Sequence, residues 1–169
     1  MANELKDLHL AFIGCGVMGE SMVAGLLRRE LVDPKNVSAS HPRESRRAEL
    51  AEKYGVEVFE NNADAAKAVA GRDNSAVLIC VKPQRLNRVL NDLTGVLRLD
   101  QLVLSIVAGA RIEHLADELG TAKIVRAMPN TATMTMSTPR IHTDCMALSR
   151  SSRLPWFDEV SMAWAGFVM

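Results

Sequence analysis

The sequence has no excess of charge of either sign: 20 lysines and arginines stand against 20 aspartates and glutamates. A chain so balanced carries no electrostatic footprint for a nucleic-acid backbone or an anionic membrane, and neither is expected as a partner. Long apolar runs are also missing, since no stretch approaches the roughly 18 to 20 residues needed to span a bilayer. The opening MANELKDLHLAF mixes charges into its first apolar segment and so lacks the core of a secretory signal. Cysteine is scarce. Cys15, Cys80 and Cys145 lie far apart without a CxxC pair, which suits reduced thiols in a cytoplasmic protein better than a disulfide framework. The four histidines, His9, His41, His114 and His142, show no metal-ligand spacing with one another or with cysteine. No metal is expected.

What remains is an ordinary globular composition in a chain of 169 residues, 48% apolar and 24% charged, long enough for one domain and a tail. Short apolar runs recur at Leu8–Ile13, Val37–Ala39, Val56–Phe59, Ala76–Val81, Leu102–Val107 and Lys123–Ala127. Such runs, each ended by glycine, proline or polar residues, read as strands buried on both faces. Between them lie helical patterns: Met22, Val23, Leu26 and Leu27; the charged run Glu44–Tyr54; the alanine-rich Ala63–Ala70; Leu86, Val89, Leu90 and Leu93; and Ile112, Leu115, Ala116 and Leu119. Strands alternating with helices predict an α/β fold, a doubly wound parallel sheet of Rossmann type covered on both sides. A short tail follows.

Gly14-Cys15-Gly16-Val17-Met18-Gly19 matches G-x-G-x-x-G. The first glycine allows a tight turn, the second lets backbone approach a pyrophosphate, and the third permits close helix–strand packing. The helix that opens there would present unpaired N–H groups and a positive dipole end to the phosphates. The loop follows a predicted strand and starts a predicted helix, the context in which the pattern has meaning. At the end of the second strand an NAD site would usually place an acid; here stand Ser38-Ala39-Ser40-His41-Pro42-Arg43, then Arg46 and Arg47. A hydroxyl and a guanidinium suit a 2′-phosphate. NADP(H) is the expected cofactor, with NAD as the alternative. The plainer reading makes Arg43, Arg46 and Arg47 a solvated helix start balanced by Glu44 and Glu49.

Three further strand ends sharpen this. They are Val77-Leu78-Ile79-Cys80-Val81-Lys82-Pro83-Gln84, Leu104-Ser105-Ile106-Val107-Ala108-Gly109 and Val125-Arg126-Ala127-Met128-Pro129-Asn130-Thr131. Together with AFIGCGVMGESMVAGLL, the strings VKPQ, SIVAG and VRAMPNT resemble the pyrroline-5-carboxylate reductase family over residues 8–131. That resemblance implies NAD(P)H-dependent reduction of a C=N bond, 1-pyrroline-5-carboxylate to L-proline. It implies that Cys15, Gly16, Val17 and Met18, within the loop from Gly14 to Gly19, meet the pyrophosphate, and that Ser40 and Arg43 meet the adenosine phosphate. It places Asn62 on the adenosine side, and Val81, Lys82 and Pro83 with Ile106, Val107 and Ala108 on the nicotinamide-ribose side. Met128, Pro129, Asn130 and Thr131 would border the substrate. Structural readings stand beside each: Asn62 as a helix cap, Lys82 as a surface residue, Pro83 as the first residue of a helix, Pro129 as a strand stop, and Cys15 and Cys80 as small buried side chains. No catalytic residue is assigned.

The resemblance stops after Thr131, where Ala132 stands in place of the family's proline. Residues 132–169 contain no lysine, carry both tryptophans, Trp156 and Trp164, and gather methionines. The expected division is a dinucleotide-binding domain at 1–131 and an atypical tail at 132–169, loop-like over Thr131–Thr138 with one apolar helix bearing Trp156, Val160, Ala163, Trp164 and Phe167. A truncated or frame-altered coding sequence would explain the change of character. The family's second, helical domain supplies the dimer and the substrate face, so its absence puts turnover in question and leaves homo-oligomerisation open. Two further functions stay in view: a non-catalytic NADP(H)-binding module, and a neighbouring Rossmann oxidoreductase of the coenzyme F420-dependent NADP reductase kind, against which VKPQ followed by RAMPNT argues.

Overall fold

The structure, a computed structural model, describes residues 7–121, 123–128 and 142–145. The six expected strands form: β1 His9–Ile13, β2 Val37–Ser40, β3 Glu57–Phe59, β4 Ser75–Ile79, β5 Leu102–Ser105 and β6 Ile124–Met128. So do the five helices, α1 Val17–Arg28, α2 Glu44–Tyr54, α3 Asn62–Ala70, α4 Leu86–Leu93 and α5 Ile112–Leu119. A seventh strand, β7 His142–Cys145, comes from beyond residue 131 and closes one edge. The order across the sheet is β3-β2-β1-β4-β5-β6-β7. The first six strands run parallel; β7 pairs antiparallel to β6, Met128 opposite His142. This is a Rossmann-type α/β fold.

The alternation of side chains along each strand divides the interior into two. Leu10 and Phe12 of β1, Val37 and Ala39 of β2, and Ala76 and Leu78 of β4 pack with Met22, Val23 and Leu26 of α1 and Leu50 of α2. Ala11, Ile13, Val77, Ile79 and Val103 face the other way, onto Ala65, Ala66 and Val69 of α3, Leu86, Val89, Leu90 and Leu93 of α4, and Leu115 and Leu119 of α5. Helices therefore cover both faces of the sheet, as strands apolar on both sides require.

Several strand ends differ from expectation: the run Ala76–Val81, for one, forms a strand over Ser75–Ile79, and β7 was not expected at all. The run Leu102–Val107 leaves the sheet after Ser105: the Ile106 N–H still reaches the Ile79 carbonyl of β4 (3.1 Å), but the Val107 N–H turns back to the Ser105 Oγ (3.3 Å). β7 has no apolar alternation to announce it: HTDC pairs antiparallel with β6 at the sheet edge. The loop expected at Thr131–Thr138 and the apolar helix near Trp156 lie outside the described residues. Among the described residues, no helix is long and apolar enough to cross a membrane.

Leu90 is fully buried between α4 and the sheet. Leu90→Ala leaves a cavity there and is expected to cost about 2–5 kcal/mol, measured as a fall in the urea midpoint at unchanged m-value.

Candidate cofactor-binding site

In a parallel sheet every carboxyl end opens on the same edge, and the strand order reverses direction between β1 and β4. Ligands of open α/β sheets bind in the crevice at that point. The glycine turn, Ser40, Asn62, Val81–Pro83, Ile106–Ala108 and Met128 all follow or end strands on this edge. The fold thus brings together every described residue that the sequence assigned to the cofactor. Pro129, Asn130 and Thr131 lie outside the described residues.

The turn has little freedom. Gly14 sits at φ +75°, and a Cβ there would lie 2.2 Å from Val81 Cγ1 on β4's extension. Its N–H donates to Ser40 Oγ (2.9 Å), and the next N–H, Cys15, donates to the Ser40 carbonyl (2.8 Å). The Cys80 N–H reaches the Ile13 carbonyl at 2.9 Å, which holds the β4 end against the β1 end. At Gly19 the approach is close for a different reason: a Cβ would meet Cys15 Sγ at 3.3 Å and Cys80 Cβ at 3.4 Å. These contacts pack α1 onto the strand ends.

Gly16 is the contrast. A Cβ there would find only the Gly14 carbonyl oxygen, 3.9 Å away, so the space beside it is open. Gly16 is also the N-cap of α1 and no side chain caps that end. The first N–H groups of the helix therefore keep their donor capacity. Val17 is 75% exposed at the same spot. An anionic bridge fits this arrangement: open approach, uncommitted donors and the positive end of a helix dipole. Cys15 contributes backbone only. Its side chain is buried, and burial pushes the thiol up to about 12, with Glu20 adding to the effect. Burial, then the neighbouring Cys15, raises Cys80 as well. Both are free thiols that stay protonated, the small buried side chains anticipated.

At the β2 end the sequence reading is redistributed. Ser40 is fully buried, and its hydroxyl is committed twice: it accepts from Gly14 and donates to Asn62 Oδ1 (2.7 Å). It supports the turn from beneath; only Arg43 of the pair Ser40 and Arg43 reaches the surface. Arg43 is exposed and forms no ion pair among the described residues. Arg46 and Arg47 are occupied. Arg46 pairs with Glu20 of α1 and with Glu49 (2.7 Å), while Arg47 binds the His41 and Pro42 carbonyls (2.9 and 3.0 Å) and Glu60 (3.5 Å). Of the plain reading, the pairing with Glu49 is found at Arg46 and the solvent exposure at Arg43, while Arg47 turns to Glu60. Nor does Asn62 cap α3. Asn61 takes the N-cap position, and the Asn62 amide turns to Ser40 and to Asp92 Oδ2 (2.8 Å). Lys82 is exposed, as its structural reading held, and Pro83 opens a short 3-10 turn ahead of α4.

Sequence reasoning missed Glu20. It sits in the first turn of α1, where the dipole favours an acid, and gathers Arg46, Lys53 Nζ (3.0 Å) and Tyr54 Oη (2.9 Å) from α2. Partial burial alone would raise its pKa. The hydrogen bonds from Lys53, Arg46 and Tyr54 outweigh burial and hold the carboxyl down to about 2. The signal was present only as a lone acid after a glycine loop, with partners 26 to 34 residues away. Among the described residues, no cluster of three or more histidine, cysteine or acidic side chains is placed to hold a metal.

Residues 9–109 match the family model described as NADP oxidoreductase, coenzyme F420-dependent. The matched span ends before the strand that carries RAMPNT, the segment that weighed against this reading on the sequence. The pyrroline-5-carboxylate reductase of Escherichia coli (strain K12) is 38% identical over 139 residues, 79% of this chain and 50% of the relative. In shape the chain is similar to a pyrroline-5-carboxylate reductase from Coxiella burnetii, with a TM-score of 0.79 at 24% identity over 96% of this chain and 57% of the other. A Plasmodium falciparum pyrroline carboxylate reductase with NADP bound gives 0.75 at 19% identity, over 98% and 57% of the two chains. The chain spans about half the length of the curated relatives it matches.

Two measurements check the site. Gly14→Ala forces a side chain into Val81 at a strained φ and is expected to lower the melting temperature by several degrees (strain of about 1–3 kcal/mol) and to abolish nucleotide binding. Glu20→Gln addresses pH. Because the folded pKa lies below the ordinary 4.5, the wild-type advantage over E20Q is complete above that value. It shrinks as pH falls toward about 2, and paired acid titrations of stability follow it.

Proposed function

Because this chain belongs to the family described as NADP oxidoreductase, coenzyme F420-dependent, we propose that it binds NADP(H) at the carboxyl edge of its sheet, as the cofactor half of a pyrroline-5-carboxylate reductase. The observation that carries the binding reading is the uncapped start of α1 beside the open flank of Gly16. Relatives named for that activity, 35% and 38% identical over about three quarters of this chain, support the choice of reaction. In it a hydride passes from the bound dihydronicotinamide to the imine carbon of 1-pyrroline-5-carboxylate, giving L-proline. The cofactor supplies that chemistry; the protein supplies position and surroundings.

In this reading residues 1–131 are the dinucleotide-binding unit, and β7, from the 132–169 tail, adds an edge strand to it. Within the loop from Gly14 to Gly19, the N–H groups of Gly14, Cys15 and Gly16 shape the turn, and those of Val17, Met18 and Gly19 at the start of α1 hold the pyrophosphate. Arg43 takes the 2′-phosphate, and its freedom from ion pairs at a strand end without a carboxylate favours NADP(H) over NAD(H). Asn62 lies on the adenosine side. Val81, Lys82 and Pro83 face Ile106, Val107 and Ala108 across the nicotinamide ribose, and Met128, Pro129, Asn130 and Thr131 border the substrate. Two protonated, free thiols fit a cytoplasmic setting. The partners are then small molecules; self-association, which the sequence leaves open, is read by light scattering of the purified protein.

Titration of the intrinsic fluorescence with NADPH and NADH tests the assignment. Saturable NADPH binding is expected, with Arg43→Ala weakening NADPH about tenfold or more and NADH by much less, since one charge-assisted contact is removed. No response to either nucleotide overturns the reading. Oxidation of NADPH on adding 1-pyrroline-5-carboxylate assigns the reductase, whereas binding without turnover assigns the NADP(H)-binding module.

A further inference from the structure

A line of hydrogen bonds runs from the surface of α4 to the glycine turn. Asp92 Oδ2 accepts from Asn62 Nδ2 (2.8 Å), Asn62 Oδ1 accepts from Ser40 Oγ (2.7 Å), and Ser40 Oγ accepts from the Gly14 N–H (2.9 Å). The four residues come from β1's end, β2, α3 and α4, and are 22 to 30 positions apart in sequence. We propose that Asp92 is a positioning residue for the cofactor turn: its carboxylate fixes which way the Asn62 amide faces and hence to which acceptor the Ser40 hydroxyl proton is committed.

The direction follows from the chemistry of the groups. An ionised carboxylate only accepts, so the nitrogen of the Asn62 amide must face Asp92. Its oxygen must then face Ser40. The Ser40 hydroxyl proton is thereby committed to Asn62, and an oxygen lone pair is left for the Gly14 N–H. Without Asp92 the amide is free to turn over; its nitrogen would then donate to Ser40 Oγ, which would accept from both Asn62 and Gly14, and the hydroxyl proton would lose the acceptor it has in Asn62 Oδ1. The line also leaves the second Nδ2–H of Asn62 uncommitted at the edge where the cofactor binds. Asn62 is half-buried there, and that hydrogen is the one it can offer to a ligand.

Asp92 stands where helix energetics would not put it. It is the penultimate residue of α4, and the last turn of that helix carries no basic side chain. An acid at this end meets the negative pole of the dipole and is disfavoured there. Removing it should therefore leave stability unchanged or raise it, while a residue kept for stability would do the reverse. Asp92 is exposed, so substitution leaves no buried cavity.

The proposal rests on cofactor binding at the turn, but its direct readout does not need cofactor. In the full chain, Asp92→Ala is expected to move the Gly14 backbone amide resonance and the Asn62 side-chain amide pair in the nucleotide-free protein. It should weaken NADPH and NADH by the same factor, roughly three- to tenfold, as loss of a shared pyrophosphate contact would. The melting temperature should hold or rise. Asp92→Asn keeps an acceptor oxygen and is expected to restore both resonances and affinity to within about twofold. Ser40→Ala, the internal reference, should shift Gly14 in the same way. Unmoved Gly14 and Asn62 signals in Asp92→Ala overturn the proposal, as does a loss of affinity matched by a lower melting temperature that Asp92→Asn does not repair. If wild-type protein ignores NADPH while the resonances move as described, the line of hydrogen bonds stands and the cofactor reading fails.

Discussion

The edge of the sheet is organised by one steric constraint, the lack of room for a side chain at Gly14. The β1 and β4 ends approach so closely there that a Cβ would fall 2.2 Å from Val81 Cγ1. The chain can leave β1 only by a left-handed turn, which glycine adopts without a penalty. That turn points the Gly14 and Cys15 N–H groups at Ser40 and starts α1 immediately over the strand ends. The uncommitted amides at the start of α1 are placed by this turn. Their donor capacity is useful to an anion only because Gly16 keeps its flank open.

Around the turn, polar side chains hold elements together where apolar packing ends. Ser38 donates to the Ala65 carbonyl (2.9 Å), tying β2 to α3 beneath the crevice. Glu20 draws three side chains of α2 onto α1. Its low pKa is the electrostatic signature of that link. One consequence is selective: among the described residues, Arg46, one helical turn from Arg43, is bound to Glu20 and Glu49 and Arg47 to Glu60, whereas Arg43 forms no ion pair.

The sequence showed much of this because its signals are local. Apolar runs of four to six residues ended by glycine or proline placed β1, β4 and β5, and spacings of three and four placed the helices. The glycine loop could be placed because each of its residues acts through its own backbone. Ser40 and Asn62 lie at this edge, and the bonds they make there, to Gly14, to each other and to Asp92, left no local pattern. A sequence reads Asn before a helix as a cap, whereas the fold sets Asn61 at the cap and brings Asp92 within 2.8 Å of Asn62. β7 was invisible, since edge pairing through backbone leaves no pattern in HTDC.

By itself, then, the sequence determined the class of fold, the order of its first six strands and five helices, and the glycine turn that leads into α1. Period, turn chemistry and glycine spacing are properties of neighbours. Only the tertiary structure decided which acids Arg46 and Arg47 pair with, which way the Asn62 amide faces and what holds Glu20 ionised. Those outcomes depend on groups distant in sequence meeting at hydrogen-bond distance. That meeting is set by how strands and helices pack, not by any single segment.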